Sequence, residues 1–287
     1  MKIIDLKKIF LILVLGLILG ITSSKGDHNS TRFVKCTSKD CKDKGEAGLY
    51  TKVVLSRIKD SKAAIVWLQG GWGRVSGLDY GPIEKLSRKL TTVGVDVGYD
   101  LKKWKTMPSG NNAEYERWST DYVARVKSVV MWTREEFGLP VFIMGHSAGG
   151  SGVSGYLLME DENQTMVSGA IWSASNREAP YPGKTKGLAV KQLNLPALII
   201  HHEKDPCSST LFFESEKRYK KYTEGGMNLG PTQLIKITGG EKKWNPKAKT
   251  KKDFCSIDTG AHGYVGVEDE FTEQIMQFIQ KYLNTNK

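Results

Sequence analysis

Residues 141–150 read Val-Phe-Ile-Met-Gly-His-Ser-Ala-Gly-Gly. A short apolar run closes in Gly-x-Ser-x-Gly, with Ser147 at its centre and small residues after it. This is the sequence form of an elbow in which a serine sits on a tight strand-to-helix turn. Such a turn strains the serine backbone and crowds its neighbours, so Gly145 and Gly149 have a steric reason to lack side chains. An exposed Ser147 would be a nucleophile, and its chemistry would be acyl transfer to water or to another acceptor.

A serine hydroxyl attacks a carbonyl only with a base in reach and a group that orients that base. Of the five histidines, His28 lies in a polar N-terminal stretch and His146 adjoins the nucleophile inside the elbow. His201 and His202 end an apolar run, where consecutive strand side chains face opposite sides. His262 stands in the loop Thr259-Gly260-Ala261-His262-Gly263-Tyr264, shortly before the last amphipathic segment, and is the expected base. The acid should fall between serine and histidine if the order is Ser, acid, His. Asp205, in His201-His202-Glu203-Lys204-Asp205-Pro206-Cys207, fits that place; Glu203 and Glu178 are weaker candidates. Asp205 before Pro206 also suits an ordinary turn, and His262 between glycines a plain loop. Their order relative to Ser147 is what points to a triad. Charge developing on the carbonyl oxygen needs backbone N–H donors. The expected donors are Ala148, directly after the nucleophile, and Gly71 in Gln69-Gly70-Gly71-Trp72-Gly73.

The elements that must position these groups alternate along the chain. Leu49–Ile58 and the continuous apolar run Ala63–Leu68 suit strands, the second buried on both faces. Pro82–Val93 reads as a helix and Val95–Tyr99 as a short strand. Tyr115, Trp118, Tyr122, Val126, Val129 and Phe137 recur at helical spacing, so a long helix is expected over Ala113–Phe137, its aromatic stripe serving as core. Pro140 introduces the strand before the elbow, and Ala148–Met159 makes the next helix. Val167–Ser173, Leu195–His201 and Thr232–Ile237 are further strands, and Phe271 to Tyr282 a final amphipathic helix. The alternation argues for an α/β chain with a mostly parallel central sheet and helices on both faces. In such sheets chemistry gathers at the carboxyl ends of the strands.

The first residues carry Lys2, Lys7 and Lys8 around an apolar run from Ile9 to Leu19, followed by Thr22, Ser23 and Ser24. That is the layout of a secretory signal peptide over residues 1–24, its apolar part shorter than the roughly 20 residues a spanning helix needs, with an uncleaved anchor as the alternative. Residues 25–48 read as a linker with a small disulfide loop, and 49–287 as one catalytic domain. The formal net charge is +11. Lys242, Lys243, Lys247, Lys249, Lys251 and Lys252 crowd one stretch, which suits a solvated loop and offers weak attraction to anionic surfaces. No nucleic-acid motif accompanies it. Four cysteines allow three pairings; local closure of Cys36 with Cys41, leaving Cys207 with Cys255, is the expected one. No Cys-x-x-Cys spacing supports zinc, and neither metal nor cofactor is expected.

With these residues in view, the chain resembles the α/β-hydrolase-fold serine hydrolases over most of its mature length. It departs from them at Gln69, where the glycine-rich oxyanion loop commonly begins with His. The His-His-x-x-Asp-x-Cys run and the later Cys255 resemble small exported bacterial members. In that likeness Cys207 and Cys255 staple the acid loop to the segment entering the histidine loop. The family often carries a helical cap after the sixth strand, but here only about 20 residues separate Ser173 from the next strand, space for one helix or loop. The resemblance implies an exported, periplasmic or secreted, serine esterase with an open site for small-molecule or polymer-borne esters. Peptidase or acyltransferase chemistry would use the same triad. A binding protein on the same scaffold, or a metal hydrolase built on His201, His202 and Asp205, fits the residues less well.

Overall fold

The computed structural model of the chain describes residues 28–42, 49–71, 75–79, 81–96, 117–175, 191–247, 255–258 and 260–283. The segment read as a signal peptide, Tyr115, Glu178 and Lys249 to Lys252 lie outside these residues. Among the described residues no helix is long and apolar enough to cross a membrane.

Among the described residues eight strands form one sheet: β1 (Ser30–Lys35), β2 (Tyr50–Ser56), β3 (Ala64–Leu68), β4 (Thr91–Asp96), β5 (Val141–His146), β6 (Gly169–Ser173), β7 (Ala197–His202) and β8 (Thr232–Ile237). Their spatial order is β1-β2-β4-β3-β5-β6-β7-β8. The β1–β2 and β2–β4 pairs are antiparallel, and every pair from β4 to β8 is parallel. The apolar runs explain the centre. All residues of β3, β5, β6 and β7 are buried, as strands covered on both faces must be.

Alternation along each strand divides the core into two layers. Ala64, Val66, Leu68 and Ile143 pack with Tyr122, Val126 and Val129 of α2 (Thr120–Phe137) and with Val153 and Tyr156 of α3 (Gly149–Met159). Ile65, Trp67, Phe142 and Met144 pack on the other face with Leu86 of α1 (Glu84–Ser87) and with Phe271, Ile275 and Phe278 of α6 (Glu268–Leu283). The short α4 (Asp161–Thr165) follows α3, and α5 (Phe212–Thr223) lies against β7 and β8.

The expected boundaries shift where local hydrogen bonding competes. The helix expected from Ala113 starts at Thr120, because the Ser119 hydroxyl caps the Tyr122 N–H at 3.1 Å. It ends at Gly138, whose φ of 61° suits a residue without Cβ. The helix expected over Pro82–Val93 is a single turn, with a 3-10 turn at Gly81–Ile83 before it. Its second half, the β-branched run Thr91-Thr92-Val93, is drawn into β4 between β2 and β3. Within the segment expected as a linker, Ser30–Lys35 forms edge strand β1.

Cys36 pairs with Cys41, and Cys207 with Cys255 at a Cα separation of 4.7 Å. The second bridge closes a loop of 48 residues. Chain-entropy arguments give such a closure about 3 to 4 kcal/mol of stability. Replacing Cys207 and Cys255 together by serine is therefore expected to lower the thermal midpoint by several degrees under non-reducing conditions, as differential scanning calorimetry would read. An unchanged midpoint would contradict it.

Candidate active site

Consecutive strands leave β3 in opposite directions, β4 to one side and β5 to the other. Such a switch point opens a crevice at the carboxyl ends of the strands. Gln69-Gly70-Gly71 leaves β3 there, and Ser147 leaves the neighbouring β5.

Ser147 has a φ of 53°, a left-handed conformation that costs a side-chain-bearing residue about 1–3 kcal/mol. Packing enforces it. The Ser147 N–H donates to the Ser173 carbonyl at 2.9 Å, and the Ser147 carbonyl accepts from Gly150 N–H at 3.0 Å. A Cβ on Gly145 would lie 2.6 Å from the Gly150 nitrogen, and one on Gly149 would run into the Leu68 carbonyl. Both glycines are thus required by close backbone approach. On the β3 side, a Cβ on Gly70 would come within 2.7 Å of the Ser147 Cβ, so this loop touches the serine directly. Gly71 has a φ of 55°, and among the described residues nothing lies within 4 Å of where a Cβ would stand. The buried guanidinium of Arg117 donates to the carbonyls of Gln69 at 3.2 Å and Gly71 at 2.9 Å, fixing the loop from behind. Arg117 was not foreseen, because it falls in a stretch read only for its helical spacing. Trp72 and Gly73 lie outside the described residues.

Asp205 is buried just past β7. Its Oδ2 accepts from His262 Nδ1 at 2.8 Å, from His201 Nε2 at 2.8 Å and from the Thr210 hydroxyl at 3.0 Å. Its Oδ1 accepts from the Cys207 N–H at 2.9 Å. Burial by itself would raise this carboxyl, but the hydrogen bonds from His201 and His262 hold it well below the usual carboxylate range. An ionised carboxylate only accepts, so His262 carries a hydrogen on Nδ1 and His201 carries one on Nε2. In neutral His262 the lone pair then sits on Nε2. That atom is buried and, among the described residues, has no hydrogen-bond partner. The structure thus brings His262 and Asp205 together, while the Ser147 hydroxyl makes no hydrogen bond to the His262 ring.

The turn that carries His262 is anchored from several sides. It is a 3-10 turn, Ala261–Gly263, and a Cβ on Gly263 would overlap the Ile257 carbonyl. Tyr264 stacks on Phe271 of α6 with ring centroids 4.1 Å apart. The Tyr264 hydroxyl donates to the Ile200 carbonyl at 2.8 Å and accepts from Ser173 Oγ at 3.2 Å. Ser173 Oγ must then accept from His146 Nδ1, 3.0 Å away. Burial holds His146 well below its ordinary value and neutral, with its ring centroid 4.8 Å from that of His262. His262 therefore lies over the elbow.

The remaining candidates are placed elsewhere. Glu203 is paired with Lys236 at 3.2 Å, and Glu178 lies outside the described residues. His201 and His202 diverge. His201 reaches Asp205 and also Ser215 Oγ at 2.7 Å, whereas His202 reaches the Gly239 carbonyl at 2.9 Å. Among the described residues no group of three or more His, Cys, Asp or Glu side chains is placed to hold a metal ion. Lys242, Lys243 and Lys247 are exposed.

No protein-family model matches the sequence, and no curated protein matches it. Solved structures do resemble it. A thermophilic carboxylesterase from a metagenomic library superposes with a TM-score of 0.54 at 15% identity, covering 98% of each chain. The hyperthermophilic esterase of Pyrobaculum calidifontis gives 0.53 at 15% identity, over 97% of this chain and 94% of that one. The acylaminoacyl peptidase of Pyrococcus horikoshii gives 0.54 at 14% identity over 93% of this chain, which spans only 43% of the peptidase's length. At these identities the likeness is one of fold, and the fold is that of the α/β-hydrolases. Residues 174–196 alone separate β6 from β7, too few for a large cap domain.

Because the Asp205 carboxyl is held below its ordinary value, its stabilising contribution is present above the usual carboxylate range and lost as pH falls through the lowered value. The variant Asp205→Asn is expected to unfold with about 1–3 kcal/mol less stability at neutral pH. That deficit should shrink as the buffer is acidified below pH about 4. Thermal melts across pH measure it, and a deficit independent of pH would contradict the charge assignment.

Proposed function

We propose that the chain is an exported serine hydrolase that cleaves carboxylic esters through an acyl-enzyme, with Ser147, His262 and Asp205 as its triad. The observation that carries this reading is the pinned tautomer of His262. Its Nδ1–H is committed to a buried carboxylate 2.8 Å away, so its buried Nε2, unpartnered among the described residues, is available as a base. A strained serine stands on the same crevice.

In the proposed reaction an ester enters beside Gly71, and Ser147 Oγ closes on His262 Nε2, a contact that commonly tightens only with substrate bound. Ser147 Oγ attacks the carbonyl carbon while Nε2 takes the hydroxyl proton. Asp205 stabilises the imidazolium and keeps the ring oriented. The oxyanion is met by the N–H groups of Ala148 and Gly71, with Arg117 holding the second loop in shape. The tetrahedral species collapses, the C–O bond to the alcohol breaks, and Nε2 returns its proton to the leaving oxygen. Water, deprotonated by Nε2, then releases the acid from Ser147.

The short connection between β6 and β7 supports this substrate class, since residues 174–196 are too few for a large cap domain at that place. An open site suits soluble short-chain esters, or esters borne on a polymer, better than long acyl chains. Export rests on the basic and apolar layout of residues 1–24 and is supported by two cysteine pairs at disulfide distance, which fit an oxidising compartment. The exposed lysines of 242–247 would add weak attraction to anionic surfaces. Peptidase or acyltransferase chemistry would pass through the same acyl-enzyme, and the leaving group and acceptor distinguish them.

The test is turnover of p-nitrophenyl esters. Ser147→Ala is expected to lower kcat at least about a thousandfold, as loss of a triad nucleophile does, with thermal unfolding nearly unchanged. Acetate and butyrate esters should be hydrolysed faster than laurate. Turnover at the wild-type rate in Ser147→Ala would overturn the assignment.

A further inference from the structure

Asp205 serves two histidines, and the proposed triad uses only one of them. His201 is fully buried at the end of β7, and its Nε2 lies 2.8 Å from the same Oδ2 that His262 Nδ1 reaches at 2.8 Å. An inert core histidine would be satisfied by backbone carbonyls. His201 instead ends on the one carboxylate that orients the expected base. Resting on the reading above, we propose that His201 is a positioning residue of the reaction: it holds the Asp205 carboxylate in register with the His262 ring and draws off part of its charge.

Its own orientation is set by a second hydroxyl. Because Nε2–H donates to Asp205, and burial keeps the His201 ring neutral, Nδ1 accepts from the Ser215 hydroxyl 2.7 Å away on α5. Phe212 of the same helix packs edge-on against the ring, with centroids 5.7 Å apart. The result is a line of contacts from Ser215 through His201 and Asp205 to His262, bridged by the Thr210 hydroxyl, which donates to Oδ2. Among the described residues three other ionisable groups face it. Arg218 acts on His201 from α5, and His146 and Tyr264 face Asp205 from the elbow and the histidine loop. His146 and Tyr264 are both held neutral by burial, leaving Arg218 as the nearby fixed charge among the described residues.

Two consequences follow if His201 is replaced by an apolar residue. The carboxylate loses one of the three donors on Oδ2 and can rotate, so the imidazole is less well aimed. The remaining negative charge is also shared less. Fewer donors then hold the Asp205 carboxyl low, so the proton that inactivates the pair binds at higher pH. The acidic limb of the kcat/KM profile, which reports the pair as a unit, moves up.

The experiment compares His201→Leu, His201→Gln and wild type in p-nitrophenyl butyrate hydrolysis across pH, with thermal melts beside them. The amide nitrogen of glutamine can restore the donor to Asp205. His201→Leu is expected to lose about tenfold in kcat, the order of one charge-assisted hydrogen bond, with KM changed by less than about twofold. Its acidic limb should rise by about half a pH unit. His201→Gln should keep the wild-type limb. If His201→Leu fails to fold, Ser215→Ala, which frees the His201 ring while leaving Asp205 its partners, should move the limb the same way by a smaller amount. A lowered melting point with kcat and limb unchanged would mark His201 as structural only and overturn the inference, as would glutamine behaving like leucine. Ser147→Ala, run in parallel, separates the two levels: hydrolysis surviving in that variant overturns the triad and this inference together. Hydrolysis dependent on Ser147 with an unshifted limb overturns this inference alone.

Discussion

The arrangement of the site depends on one buried negative charge. Asp205 lies out of water at the end of β7 and keeps its charge only because four donors converge on it, three of them on a single oxygen. A carboxylate in that position without them would take up a proton or draw in water. The surrounding chain reflects this demand. The turn after β7 returns the backbone so that His201 meets Asp205 four residues on, and Cys207 offers its N–H while its sulfur is tied to Cys255. The histidine loop arrives from just before α6, stapled by Tyr264 on Phe271. Charge, turn and bridge specify one another.

The second constraint is steric and sits on the serine side. A left-handed Ser147 persists because Gly145, Gly149 and Gly70 let backbone pass where a Cβ could not. The parallel sheet supplies the rigid support, with β3 and β5 paired in register from Ala64 opposite Val141 to Leu68 opposite Gly145. Ser147 is therefore fixed by packing and the His262 ring by hydrogen bonding, and among the described residues the buried Nε2 of that ring has no partner.

Much of this was legible in the sequence, for identifiable reasons. The parallel sheet was readable because fully buried strands appear as unbroken apolar runs such as Ala63–Leu68. The Gly-x-Ser-x-Gly elbow was readable because its glycines are sterically required. Asp205 and His262 stood out by chain order at the ends of apolar segments, and the fold brings them to 2.8 Å. Other features were hidden. Helix α5 escaped notice because its buried face carries Ser215 and Arg218, which blur the apolar period. β1 was concealed in a polar segment because an edge strand needs little burial. The second partner of Asp205 was hidden as well: strand alternation separates His201 from His202, but only the turn geometry shows which of them faces the acid.

The central claim is that the elbow serine is the nucleophile and is activated by the His262–Asp205 pair. The most direct measurement is the site of covalent modification by a fluorophosphonate, read by peptide mass spectrometry on the native protein. The account predicts a single adduct on Ser147, with labelling slowed at least about a hundredfold in His262→Ala, as loss of a general base requires. An adduct on another residue, or labelling of Ser147 at an unchanged rate without His262, would contradict it.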